Sequence, residues 1–188
     1  MLICADVHIG KGAHFRNSGI PIPKRVNDSN LWNLVVLIEQ YRPEKILFLG
    51  DLFHSGINDE WEALIDCLAQ YPHSEKLLVK GNHEIEVQQE YERLGFVVME
   101  SLAIDGIQFT HEPPSSTPSN TYTFCGHLHP AVRMQGSAQQ SLRLPCFWMG
   151  PDVGVLPAFG EFTGNHTIQP KKGDRLFVIA GNSVVDVS

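Results

Sequence analysis

The chain has 188 residues, 43% of them apolar and 19% charged, with a formal net charge of −7. That length can bury a full core and is expected to form a single domain over residues 1–188, and no apolar run is long enough to cross a membrane. The acidic balance argues against a broad basic surface coating duplex DNA, though not against a phosphate site that brings its own cations. LICAD (residues 2–6) reads as a buried strand, so Met1 leads straight into the core and no secretory signal is read. GKGAHFRNSGIPIPKRVN (10–27) reads as a long basic loop. Residues 28–41 place Leu31, Leu34, Val35, Ile38 and Tyr41 at helical spacing, with Asn27 or Asp28 as N-cap and Pro43 as the stop. EKILFLG is the next buried strand. A helix follows, capped by Asn58, with Trp61, Leu64, Ile65 and Leu68 on its apolar face, and KLLVKG is a third strand. This alternation of strand and helix is the rhythm of a parallel sheet.

Beyond Gly95 the pattern turns mostly to strands. FVVME, LAI and IQFTH follow one another, the last two joined by a tight turn at Asp105-Gly106. YTFCGHLH and RLPCFWMG are further strand candidates, and RLFVIA and SVVDV flank Gly181-Asn182 as a hairpin. EPPSSTPSN (112–120) is a polar loop. The expected fold class is α/β, with two packed mixed β-sheets and flanking helices. The four cysteines, Cys4, Cys67, Cys125 and Cys146, form no CxxC pair and read as buried, reduced thiols of a cytoplasmic protein.

Five short stretches carry chemistry: ADVH with Asp6 and His8, GDLFH with Asp51, GNHE with Asn82 and His83, THE with His111, and GHLH with His127 and His129. Each sits at or just past the C-terminal end of an expected strand, where ligand sites gather in α/β folds. Six of the nine histidines fall within them, and clustered imidazoles would be awkward in a core without a metal. Oxygen and nitrogen donors without thiolate suit manganese, iron or zinc. Seven residues can make eight coordination bonds if one carboxylate bridges two ions.

The ordered set D-x-H, G-D, G-N-H-[DE], H and G-H-x-H resembles the calcineurin-like metallophosphoesterases. The resemblance implies a four-layer α/β/β/α sandwich with two divalent ions, manganese foremost, with iron or zinc as alternatives. It assigns Asp6, His8, Asp51 and His129 to one ion. Asp51, Asn82, His111 and His127 go to the other, with Asp51 bridging. His83 would be the catalytic residue that is not an ordinary ligand. In phosphatases of this superfamily an Asp three residues after the bridging Asp orients the catalytic His. Here that place is His54, as in the nuclease branch.

ADVHIGKGAHFRNSGIPIP and GPDVGVLPAFGEFTG, largely outside the metal motifs, are similar to the bacterial ligase-associated DNA damage response endonuclease (PdeM) family. That likeness implies a DNA endonuclease or phosphodiesterase in repair, with DNA as substrate and a DNA ligase and a ligase-associated helicase or exonuclease as partners. The chain departs from that family by starting at the first core strand and by Glu84 where Asp is usual. Lys11 and Arg16, in the loop that leaves His8, are candidates for contacts to a nucleic-acid backbone. Two other functions fit the same residues: hydrolysis of a small phosphorylated metabolite, or a metal-binding scaffold without catalysis.

Overall fold

The computed structural model describes residues 1–11, 25–53, 59–82, 88–116, 120–135, 140–161 and 163–188. Strands β1 (Leu2–Ala5), β2 (Lys45–Leu49), β3 (Glu75–Val79) and β4 (Phe96–Met99) lie side by side in that order, all parallel. Helices α1 (Arg25–Tyr41), α2 (Asp59–Ala69) and α3 (Gln88–Arg93) fall between them in the chain.

The alternation of side chains along a strand splits this sheet's residues between two cores. Cys4, Ile46, Phe48 and Leu78 pack with Leu34 and Ile38 of α1, Leu64 and Leu68 of α2, and Tyr91 of α3. Their neighbours Ala5, Leu47, Leu49, Leu77 and Val79 pack with Phe109 and Phe124 of a second sheet. With both faces covered, the strands read as unbroken apolar runs.

The second sheet comprises β5 (Leu102–Ile104), β6 (Ile107–Phe109), β7 (Tyr122–Cys125), β8 (Pro130–Gln135), β9 (Ser141–Met149), β10 (Val153–Val155) and β11 (His166–Thr167), in the order β11-β8-β9-β10-β7-β6-β5. A hairpin of β12 (Arg175–Ala180) and β13 (Ser183–Asp186) joins it through β9. The expected tight turn is present: φ is 50° at Asp105 and 79° at Gly106, the pair of positive values that a type I′ hairpin demands. β6, β7 and β10 are mutually parallel while β5 and β9 run antiparallel to their neighbours, so the second sheet is mixed as expected. The described strands of the first sheet, expected to be mixed as well, are all parallel.

Helix α1 begins at Arg25, inside the expected loop, so Asn27 and Asp28 are not its caps. The short α3, and β8, β10 and β11, were not expected from the sequence; Asn58 lies outside the described residues. Of the four expected layers, described residues build the helical layer on the first sheet and the two sheets. Among them no helix covers the far face of the second sheet, which carries a cluster of Cys146, Ile168, Leu176 and Val178. No described helix is long and apolar enough to cross a membrane.

Candidate metal centre

β1, β2 and β3 are parallel, so their C-terminal ends meet at one edge, where β6 and β7 also end. Asp6 and His8 follow β1, Asp51 follows β2, Asn82 follows β3, His111 follows β6, and His127 and His129 follow β7. The chain leaves the strands abruptly there. Backbone φ is 52° at Asp6, 49° at His8, 46° at Asp51, 65° at His127 and 47° at His129. A left-handed backbone costs an L-residue roughly 1–2 kcal/mol, and such strain gathers where function fixes the chain. Hydrogen bonds hold these ends together. The His8 N–H donates to the Asp51 carbonyl at 2.9 Å, and the Gly126 N–H to the His111 carbonyl at 2.9 Å. Across the sheets, the His127 N–H donates to Asp6 Oδ2 at 2.8 Å.

The side chains fall into two groups, Asp6–His8–His129 and Asp51–His111–His127, each with its ligand atoms within 4.8 Å of one another. Asp51 faces both: Oδ2 lies 3.7 Å from His8 Nε2, and Oδ1 lies 3.8 Å from His111 Nε2. His129 Nε2 is 3.4 Å from Asp6 Oδ1. His111 Nδ1 lies 3.1 Å from the Leu49 carbonyl, to which its N–H donates, leaving the Nε2 lone pair for a cation. That Nε2 stands 3.1 Å from His127 Nδ1. Two imidazole nitrogens, each about 2.1 Å from one ion, stand roughly 3.0–3.4 Å apart, so the pair fits a shared cation. Asp6 Oδ1 is buried and has no hydrogen-bond partner among the described residues, a costly state for a carboxylate unless a cation satisfies it. The residues fit divalent ions bound through oxygen and nitrogen.

Asn82 is exposed and lines, with Gly81, His111 and Glu112, a cavity of about 520 Å³ beside the second group. His83, His54 and Arg16 lie outside the described residues. Lys11 is half-buried, and burial pulls its ammonium below its ordinary value, with Asp51 and then Asp6 acting in the opposite sense. It therefore stands close to the carboxylates of the centre. Cys4 and Cys125 belong to neither group of ligand atoms, and burial pushes each thiol up to about 12.

Two features of the site go beyond the side chains that the motifs single out as candidate ligands. Gly50, at φ 70°, packs so tightly against the His111 ring that a Cβ would overlap Nδ1 and Cγ, so both the backbone and the space require glycine. The second is a latch made by Phe159, Gly160, Glu161 and Thr163. The Phe159 N–H donates to the Ala5 carbonyl at 2.8 Å, and the Gly160 N–H to the Asp6 carbonyl at 3.2 Å. Asn30 of α1 accepts from the Glu161 N–H at 3.2 Å. The Thr163 carbonyl then accepts from His129 Nδ1 at 3.0 Å and from Lys11 Nζ at 3.5 Å. One backbone carbonyl thus sets the tautomer of a candidate ligand and anchors the nearby Lys11 ammonium.

A Cβ at Gly160 would overlap the Val7 carbonyl and come within 2.9 Å of Thr163 Cγ2. Gly160→Ala is therefore expected to cost about 1–3 kcal/mol, as overpacking does. It should also weaken metal binding by the Asp6 group more than by the Asp51 group. Thermal melting with metal titration of the same preparation checks this. An unchanged Tm and two unchanged affinities would mean that the latch does not bear on the site.

The sequence profile of the calcineurin-like phosphoesterases matches residues 1–183. Among solved structures, the Pseudomonas putida nuclease MPE superposes with a TM-score of 0.76 and 26% identity, covering 98% of this chain and 86% of that one. No curated protein sequence matches. A profile match running through both sheets and every strand end that carries a candidate ligand makes this chain a member of the calcineurin-like phosphoesterase family, metal-dependent hydrolases of phosphoester bonds.

Proposed function

We propose that the chain is a two-metal phosphodiesterase that cuts nucleic acid, acting as a DNA endonuclease. The observation that carries the two-metal reading is Asp51, whose two oxygens face histidines of different groups at 3.7 and 3.8 Å. The nuclease reading draws on the likeness to the Pseudomonas putida nuclease MPE.

Asp6, His8 and His129 would hold one ion, and Asn82, His111 and His127 the other, with Asp51 common to both. When bound, two divalent ions polarise the phosphoryl group and lower the pKa of water. The protein's part is to fix the geometry. Thr163 and Leu49 orient His129 and His111 through their backbone carbonyls, and the positive-φ turns aim the carboxylates inward. His83 protonates the leaving oxygen or donates to a phosphoryl oxygen. His54 is assigned the positioning of His83, a task open to a neutral imidazole because it can accept a hydrogen bond. Lys11 and Arg16 meet the phosphate backbone of the substrate, Lys11 close to the centre and Arg16 further along the loop.

Residues 1–188 form one metallophosphoesterase domain in this reading, and manganese fills the sites. The stretches at 5–23 and 150–164 support a role in DNA repair alongside a DNA ligase and its helicase or exonuclease. The four buried free cysteines fit a reducing cytoplasm.

The test is hydrolysis of single-stranded DNA, of a chromogenic diester and of phosphorylated metabolites, in Mn²⁺ and in EDTA. DNA and the diester should be cleaved in Mn²⁺, and EDTA should abolish both activities. A preparation that consumes only phosphomonoesters would replace this reading with that of a metabolite phosphatase.

A further inference from the structure

A cavity of about 380 Å³ opens beside the centre on the far face of the second sheet. The register fixes its side. Val153 and Val155 pair with Thr123 and Cys125, and Trp148 pairs with Val155. Their side chains therefore point away from Phe124, which packs toward the first sheet. Leu128 forms one wall and stands between His127 and His129, so the cavity begins one residue from a ligand of each group. Pro113 and Pro114 line both this cavity and the one that holds His111 and Asn82, so a single wall separates the two.

Trp148 is the largest flat surface in the lining, and it is fixed in place. Its indole N–H donates to Asp174 Oδ2 at 2.7 Å, and the Lys171 N–H donates to the same oxygen at 2.8 Å. The ring also packs against the cluster that contains Cys146 and Leu176. An immobilised indole, three prolines, a leucine and two valines make the slot mainly apolar, with Ser115, Ser116, Asp152, Asp174 and Lys171 also in its lining. Its size lies at the low end of small-ligand pockets, roughly 300–1,000 Å³, enough for one heterocycle and part of its sugar.

The geometry points to a nucleobase subsite. The base of the nucleotide adjoining the bound phosphate would cross the Pro113–Pro114 wall and lie against Trp148. This rests on the phosphodiesterase reading and adds the substrate class that the centre alone does not specify. Stacking on an indole is tolerant of sequence, because every base has a π-face. The subsite would therefore make cleavage depend on the presence of a base, with little regard to which one.

The test compares a short single-stranded oligonucleotide with the same backbone carrying only abasic sugars. Wild type should favour the base-bearing strand in kcat/KM by roughly five- to a hundredfold, the range that stacking of one base supplies. Trp148→Leu should bring that ratio toward one, chiefly through KM, and Trp148→Phe should restore most of it. A merely structural role for Trp148 would lower both rates and leave the ratio intact. That result, or a wild type indifferent to bases, overturns the subsite. If wild type hydrolyses no diester at all, the phosphodiesterase reading has failed, and AMP titration followed by tryptophan fluorescence decides the subsite instead. Quenching that vanishes in Trp148→Leu would uphold it, and no quenching would overturn it.

Discussion

Asp51→Asn is expected to cost more bound metal than any other single substitution at the centre. Asp51 is buried, and its oxygens face His8 and His111 at 3.7 and 3.8 Å, whereas each histidine serves one group. The amide keeps the shape but loses the charge and one anionic oxygen, so both ions lose a ligand at once. Activity should fall by at least about a thousandfold, since polarisation of the phosphoryl group and acidification of water both depend on the ions. His8→Ala or His111→Ala should instead lower metal content mainly at one position. Elemental analysis of the purified variants decides it. Equal metal in wild type and Asp51→Asn would sink the shared-ligand assignment.

His83→Ala separates binding from chemistry. His83 is proposed to act on the substrate and not to hold metal, so the variant should keep its metal and its fold. If His83 protonates the leaving oxygen, cleavage of DNA should drop by roughly a hundred- to ten-thousand-fold, because an alkoxide needs that proton. A nitrophenyl ester, whose phenolate leaves unaided, should suffer less. If His83 chiefly stabilises the phosphoryl oxygens, both substrates should suffer alike. Both rates, measured with the metal content of the same preparation, distinguish these outcomes. A fully metallated His83→Ala enzyme that still cuts DNA at the wild-type rate would falsify the role.

The candidate ligands were legible because each is an unusual side chain just past a run of apolar residues. Asp6, Asp51, His111 and His127 owe their meeting to parallel strands, whose ends the order of elements already implied. The latch was not legible in the same way. Thr163 acts through its backbone carbonyl, which any residue carries, and Gly160 matters for an atom it lacks. Only the likeness of the stretch at 150–164 to a nuclease family marked the region, without saying what it does. Among the elements, β8 shows no clean alternation, being buried at Pro130 and Ala131 and exposed from Arg133 to Gln135. α3 buries only Tyr91, too little for a helical period to appear. Asn27 and Asp28 looked like caps because their side chains favour them, yet α1 already runs through both.

The left-handed turns at Asp6, His8, Asp51, His127 and His129 set thermal robustness against catalysis in this chain. At each of these positions a glycine would relieve roughly 1–2 kcal/mol of backbone strain and remove a proposed ligand in the same step. A lineage freed from the need to hydrolyse anything could therefore drift toward sturdier, inert descendants, one lost ligand at a time. Any engineering campaign that ranked variants of this protein by melting temperature alone would be drawn along the same path, and its best survivors would be dead enzymes.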